Sequence, residues 1–232
     1  MTSVSNVLVG CNGVAQDRGA YWNHFGVIEI EERLAATVKP KTIAQWRKGD
    51  ARKHFVLGFG ATAAQAGFDS TAAVRAWDRT VQVADQLKAE TILLRTPPQF
   101  RPTAANQRAL SQFFAERRDG RRIAWWAEGL WESQVDARDE VCAEAGFIPV
   151  VDPLGLDDDD DLPDGTDVYW RLMGRRGLRG GFSDYEIECL LDLTSDRESA
   201  TVIFTSNAMR AEAVRFARLV QRELSIEPAD GD

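Results

Sequence analysis

The sequence predicts a single (β/α)8 barrel of the TIM type over residues 1–232, compact, with parallel strands alternating with helices. Three observations carry that expectation. Eight short runs are apolar on successive residues, as strands covered on both faces are. Most are followed by an amphipathic stretch before the next run, and such alternation implies parallel pairing through right-handed crossovers. Eight such units in 232 residues lie near the lower end for a closed barrel. An open doubly wound sheet is the competitor, but no G-x-G-x-x-G opens a helix. Gly58-Phe59-Gly60 is followed by alanines and lacks the third glycine.

The first run, Val7–Val9, ends in Gly10-Cys11-Asn12-Gly13, which reads as a turn. Val27–Ile30 is the second, followed by a helical pattern around Thr42–Lys48. Phe55–Phe59 is the third, closed by Gly60. The strongest helix follows, capped by Asp69 or Ser70, with Val74, Trp77, Val81 and Ala84 as its apolar stripe and Lys88 where the stripe ends. Thr91–Leu94 is a fourth strand, stopped by Pro97-Pro98, which offer no ladder donors. A helix with Leu110, Phe113 and Phe114 precedes the fifth strand, Ile123–Trp126. Trp131–Ala145 reads as one helix ended by Gly146. Phe147–Val151 and Asp167–Leu172 are the sixth and seventh strands. Ser183 and Glu186 form a capping box opening a helix with Ile187, Leu190 and Leu191 inward. Thr201–Phe204 is the eighth strand, and Met209, Ala213, Phe216 and Val220 stripe the last helix. The five aspartates at 157–161 read as a solvated acidic loop within 155–165, and residues 225–232 as a disordered tail.

Net charge is −8, which argues against duplex nucleic acid as a partner. No apolar run is long enough to span a membrane. Three separated cysteines, Cys11, Cys142 and Cys189, suit a reducing compartment, so a cytoplasmic location is expected. His24 and His54 have no metal-spaced partner, and no metal or cofactor is expected. His24, beside Trp22 and Phe25, reads as a packing or capping group. Neither a G-x-S-x-G elbow nor a P-loop occurs. Cys11, at a strand end where it could be exposed, reads as a small buried thiol or, less readily, a nucleophile with no well-placed base.

Phrases at the strand ends resemble the YecE-like barrel family, domain of unknown function 72. They are Trp22-Asn23-His24-Phe25 with Ile28-Glu29-Ile30, then Ile43-Ala44-Gln45-Trp46, and Leu93-Leu94-Arg95-Thr96-Pro97-Pro98-Gln99-Phe100. Further on come Ile123-Ala124-Trp125 with Gly129 and Trp131, Val151-Asp152-Pro153, Tyr169-Trp170-Arg171-Leu172-Met173-Gly174 and Phe204-Thr205-Ser206-Asn207-Ala208-Met209. They span almost the whole chain, and the resemblance implies the same barrel. This chain departs from the family pattern at charged positions, as a divergent member would. Glu31 stands where Asn is usual, Ala35 where an aromatic is, and Gly60 near a usual lysine. Trp126 and Glu128 stand where Glu and Arg are usual, and Met173 replaces the His of Arg-x-His-Gly. The resemblance therefore implies a site whose charged groups are partly lost.

In such a barrel the loops after the strands build the site. Its candidates are Asn12, Glu29 with the neighbouring Glu31 and Glu32, Arg95, Trp126, Glu128, Asp152, Arg171 and Asn207. Glu29, inside an apolar run, must pair or take up a proton, and sharing the mouth with Arg171 or Arg95 would satisfy it. Such a pair is either functional or a structural tie. Arg95 and Arg171 could bind carboxylate or phosphate bidentately, or serve as partners to glutamates. Asn207 could orient a ligand hydroxyl or cap the last helix. Of Trp125, Trp126 and Trp131, at least two are expected in the core, and alternation turns only one of Trp125 and Trp126 inward. Expected, then, is a pocket for a small anionic or hydroxyl-rich ligand, possessing phosphate or carboxylate in the anionic case. The alternatives are a hydrolase of phosphoester or glycosidic bonds using Glu29 with Asp152 or Glu128, and a non-catalytic interaction scaffold. Enzymatic activity, ligand identity and oligomeric state stay open at this point.

Overall fold

Apolar residues on both strand faces produce the expected ring. β1 (Val7–Asn12), β2 (Val27–Ile30), β3 (His54–Phe59), β4 (Thr91–Thr96), β5 (Arg122–Ala127), β6 (Ile148–Val151), β7 (Asp167–Leu172) and β8 (Ser199–Phe204) run parallel and close in chain order into a barrel. The computed structural model describes residues 6–13, 18–48, 53–156, 162–174 and 181–226. The aspartates 157–161 and residues 227–232 lie outside them. The helices are α1 (Arg18–Trp22), α2 (Glu32–Thr37), α3 (Pro40–Arg47), α4 (Ala61–Ala66), α5 (Thr71–Leu87), α6 (Ala104–Arg117), α7 (Leu130–Ser133), α8 (Val135–Ala145), α9 (Asp184–Ser195) and α10 (Met209–Ile226). None is long and apolar enough to cross a membrane.

Four expectations need correction. Gly10-Cys11-Asn12 is strand, not turn. A Cβ at Gly10 would stand 2.0 Å from the Val27 carbonyl oxygen, so glycine serves close approach of neighbouring backbones there. On α5 the buried residues are Ala73, Trp77, Thr80, Val83, Ala84 and Leu87, while Val74 and Val81 are half-buried. The docked face is rotated from the expected stripe because Ala73 and Thr80, small enough to approach closely, give little hydrophobic signal. The expected helix 131–145 is broken into α7 and α8 at Gln134 (φ −110°, ψ 62°). Finally, α10 runs to Ile226 and takes in the first two residues of the expected tail.

Contacts divide the chain into a middle unit, Glu29–Val150, and a terminal unit, Met1–Ile28 with Val151–Asp232. The middle unit is built on aromatic packing. Phe59 lies 5.1 Å from Trp77 and stacks near-parallel on Phe113 at 5.9 Å, and Trp125 meets Trp131 at 4.9 Å, ring centre to ring centre. Ser70 caps α5, accepting from Ala73 N–H at 3.1 Å. In the terminal unit, Phe204 packs against Phe182 and Phe216. There the Tyr21 hydroxyl bridges β1 and β2, accepting from Cys11 N–H at 2.9 Å and donating to the Val27 carbonyl at 2.7 Å. The Ser183–Glu186 capping box opens α9 as the sequence reads.

Candidate functional site

Strand register decides which side chains face the helices in the middle unit. Phe59, Leu94 and Trp125 lie in one row, and Phe59 packs on Trp77, Phe113 and Phe114 of α5 and α6. That row faces the helices. The next row pairs Arg95 with Trp126, so alternation turns both to the opposite, inner face at the strands' C-terminal ends. Trp125 and Trp131 are fully buried, donating from Nε1 to Thr96 Oγ1 (3.0 Å) and the Phe100 carbonyl (2.6 Å). Trp126 is the half-buried member of the three.

Arg95, Trp126 and Glu128 come together at this end. Arg95 donates from Nε to Glu128 Oε2 (3.2 Å) and from Nη2 to Oε1 (3.0 Å), a bidentate pair. Its Cζ lies 4.6 Å from the centre of the Trp126 ring, within cation–π range. The Arg95 side chain is 48% exposed and Glu128 14%. One close backbone approach and one side-chain carboxylate hold the ends of the elements. Gly60 has φ +116°, and a Cβ there would stand 2.7 Å from the Arg95 carbonyl oxygen. The Glu32 carboxylate, one of the polar residues expected at the mouth, instead accepts from Ala61 N–H (2.8 Å) and Thr62 N–H (3.1 Å) at the start of α4. Glu29 is 1% exposed within β2, and it is not without a partner.

The candidates of the terminal unit are arranged otherwise. Arg171 is buried in β7 and lies in the row of Ile203 and Gly10; Asn12, two residues on from Gly10, shares that face. The neighbouring row, Leu172, Phe204 and Cys11, faces α10. Asp152, directly after β6, accepts from Leu154 N–H at 3.2 Å through Oδ1 and from Met173 N–H at 2.8 Å through Oδ2. Burial pushes its carboxyl above the usual carboxylate range, against the downward pull of those two N–H groups. Asn207 is exposed, and beside it the Ser206 hydroxyl accepts from the Ala208 N–H at 3.1 Å, just ahead of α10. Sequence reasoning missed Glu212, 2% exposed in the first turn of α10. It accepts from Phe182 N–H at 2.9 Å and from the Ser206 hydroxyl, tying the approaches to α9 and α10 together. Only its i+6 spacing from Ser206 could have hinted at this.

Cys11 is buried, as its reading as a small buried thiol expects. Burial pushes the thiol up to about 12, opposed by the positive charge of Arg210, so the thiolate needed of a nucleophile is suppressed. His24 is exposed, its ring edge toward Phe25. Among the described residues no group of three or more His, Cys, Asp or Glu side chains could hold a metal ion. A groove of about 750 Å³ lies between α6 and α8, lined by Arg108, Gln112, Arg118, Asp119 and Glu144, next to the N-terminal end of β5.

No protein-family model and no curated protein matches the chain. Among solved structures it is similar to a domain of unknown function 72 family protein from Enterococcus faecalis, at 17% identity and TM-score 0.69, covering 97% of this chain and 100% of that one. It is also similar to a D-psicose 3-epimerase determined in the presence of D-fructose (15% identity, TM-score 0.62, 93% of this chain and 97% of that one). A D-tagatose 3-epimerase-like protein matches at 13% identity and TM-score 0.54, covering 94% and 97%. At these identities the likeness is one of fold: a TIM-type barrel shared over essentially the full length of each chain.

Proposed function

We propose that the protein binds a small ligand at the C-terminal ends of its strands, through a site that retains only part of the charged set expected from the family resemblance. The observation that supports this most is the Arg95–Trp126–Glu128 cluster: a half-exposed guanidinium held over an indole and clamped by a carboxylate. A solvent-facing arginine held from two sides has little rotamer freedom left to lose when it meets a ligand. In the terminal unit, Arg171 and Asn12, on one strand face, and the exposed Asn207 are the corresponding candidates. Ligand chemistry at this level is anionic or hydroxyl-rich.

Hydrolysis through paired carboxylates, with Glu29 joined by Asp152 or Glu128, is less well supported. Asp152 gives both oxygens to backbone N–H groups, and Glu128 gives both to Arg95. A general acid or nucleophile needs an oxygen aimed at the substrate. Thermal-shift measurements on the full chain against sugar phosphates, nucleotides, carboxylates and neutral sugars test the reading. A ligand-induced rise in melting temperature that disappears in Arg95→Ala is expected. A flat response to every compound would favour an interaction scaffold instead.

A further inference from the structure

We infer that the Arg95–Trp126–Glu128 cluster selects an uncharged, hydroxyl-bearing ring, such as a neutral monosaccharide, rather than a phosphate or carboxylate. This rests on the ligand-site reading above and narrows it. The guanidinium edge that would grip an oxyanion in a fork, Nε with Nη2, is already occupied by both oxygens of Glu128. The charge is met at 3.0 Å, so an approaching anion encounters a neutral pair and, within the same contact, a carboxylate that repels it. The chain's net charge of −8 adds to that repulsion.

What remains of Arg95 suits a different ligand. The guanidinium carbon lies 4.6 Å from the centre of the Trp126 ring, and the side chain is nearly half exposed. Nη1 has no protein partner among the described residues, so its two N–H groups can donate to hydroxyl or ring oxygens. Glu128, 14% exposed, stands beside that edge, and each of its oxygens, after accepting one bond from Arg95, keeps a second lone pair that can accept a hydroxyl proton. Aromatic ring, donor edge and acceptor edge lie side by side. Hydroxyls, which both donate and accept, complement that set, whereas a fully ionised phosphate oxygen can only accept.

The test uses the full chain labelled with 15N. The Arg95 Nε–H and Trp126 Nε1–H resonances, assigned with Arg95→Lys and Trp126→Phe, are followed during titration with D-glucose, D-fructose or inorganic phosphate at matched millimolar concentrations. Both resonances are expected to move with a sugar and to stay still with phosphate. In Glu128→Gln the uncompensated guanidinium should reverse the order, with phosphate affinity rising about tenfold and sugar affinity falling. Phosphate shifts in the unaltered protein at least as large as those with sugar would overturn the selection while leaving a ligand site in place. Stillness of both resonances with every compound would overturn the site as well. The unaltered protein decides between sugar and phosphate even if Glu128→Gln folds poorly.

Discussion

In the terminal unit, Asp152 gives each carboxylate oxygen to a backbone N–H, and Glu212 divides its oxygens between a backbone N–H and the Ser206 hydroxyl. In the middle unit, Arg95 and Glu128 spend their strongest contacts on each other, with the arginine half exposed over an indole. Arg95, Glu128 and Asp152 all lie at or just beyond strand ends, and a linear sequence reads them alike. Their physics differs. A buried carboxylate holding N–H groups stabilises turns, and its removal strands the donors. An exposed ion pair adds little stability but presents donors and acceptors to solvent.

The sharpest way to break this contrast is Glu212→Ala. The substitution leaves the buried Phe182 N–H without its carboxylate and frees the Ser206 hydroxyl. We expect a loss of about 3 kcal/mol in denaturant unfolding, since hydrogen bonds to charged groups contribute roughly 1.5–3 kcal/mol each and a deserted buried donor adds its own cost. A loss below about 1 kcal/mol would mean that the terminal unit's carboxylates are not structural ties, and the contrast would fail.

How much of this was legible beforehand follows from the range of each interaction. The strands were legible because burial on both faces writes itself into consecutive residues: Val27–Ile30 and Asp167–Leu172 coincide with β2 and β7. The Ser183–Glu186 box was legible for the same reason, its partners being three residues apart. Tyr21 bridging Cys11 to Val27, Glu32 capping α4 across 29 residues, and Glu212 reaching Phe182 across 30 were not. Tertiary approach decides those partners, and no local spacing encodes it. The candidate site was half legible. Arg95, Trp126 and Glu128 were chosen for being polar or aromatic near strand ends, but the clamp that joins them needed the β4–β5 register. The same local view left Cys11 between a buried thiol and a nucleophile, because it could not see α10 covering the strand end.

Asp152 gives a smaller test of the terminal unit, with a sign. Its folded carboxyl lies above its ordinary value of 3.8. A raised value means the folded state binds the proton more tightly, so this group's contribution is fully present below 3.8 and is lost as pH rises through the folded value. Asp152→Asn replaces one acceptor, which should cost about 1 kcal/mol at the Met173 N–H. The cost should be largest in acid and shrink toward neutrality, because only the unaltered protein loses stability over that window. Urea unfolding at several pH values reads the difference. A gap that widens with pH would show the carboxylate, not the acid, to be the form the fold prefers.

The smallest effect belongs to the middle unit. A double-mutant cycle on Arg95→Ala and Glu128→Ala should return a coupling of about 0.2–1 kcal/mol, typical of a pair in which one partner is well exposed. Geometry alone would suggest more, because the pair is bidentate and its arginine lies over an indole, but Arg95 keeps nearly half its surface in water, where its charge is already well solvated. The coupling should fall further as salt rises, unlike the cost of Glu212→Ala, whose carboxylate is sealed from solvent. A salt-insensitive coupling of about 3 kcal/mol would instead place Arg95 and Glu128 with the structural ties. That outcome would remove the strongest support for a ligand site there, since side chains spent on holding the barrel together have little left to offer a guest.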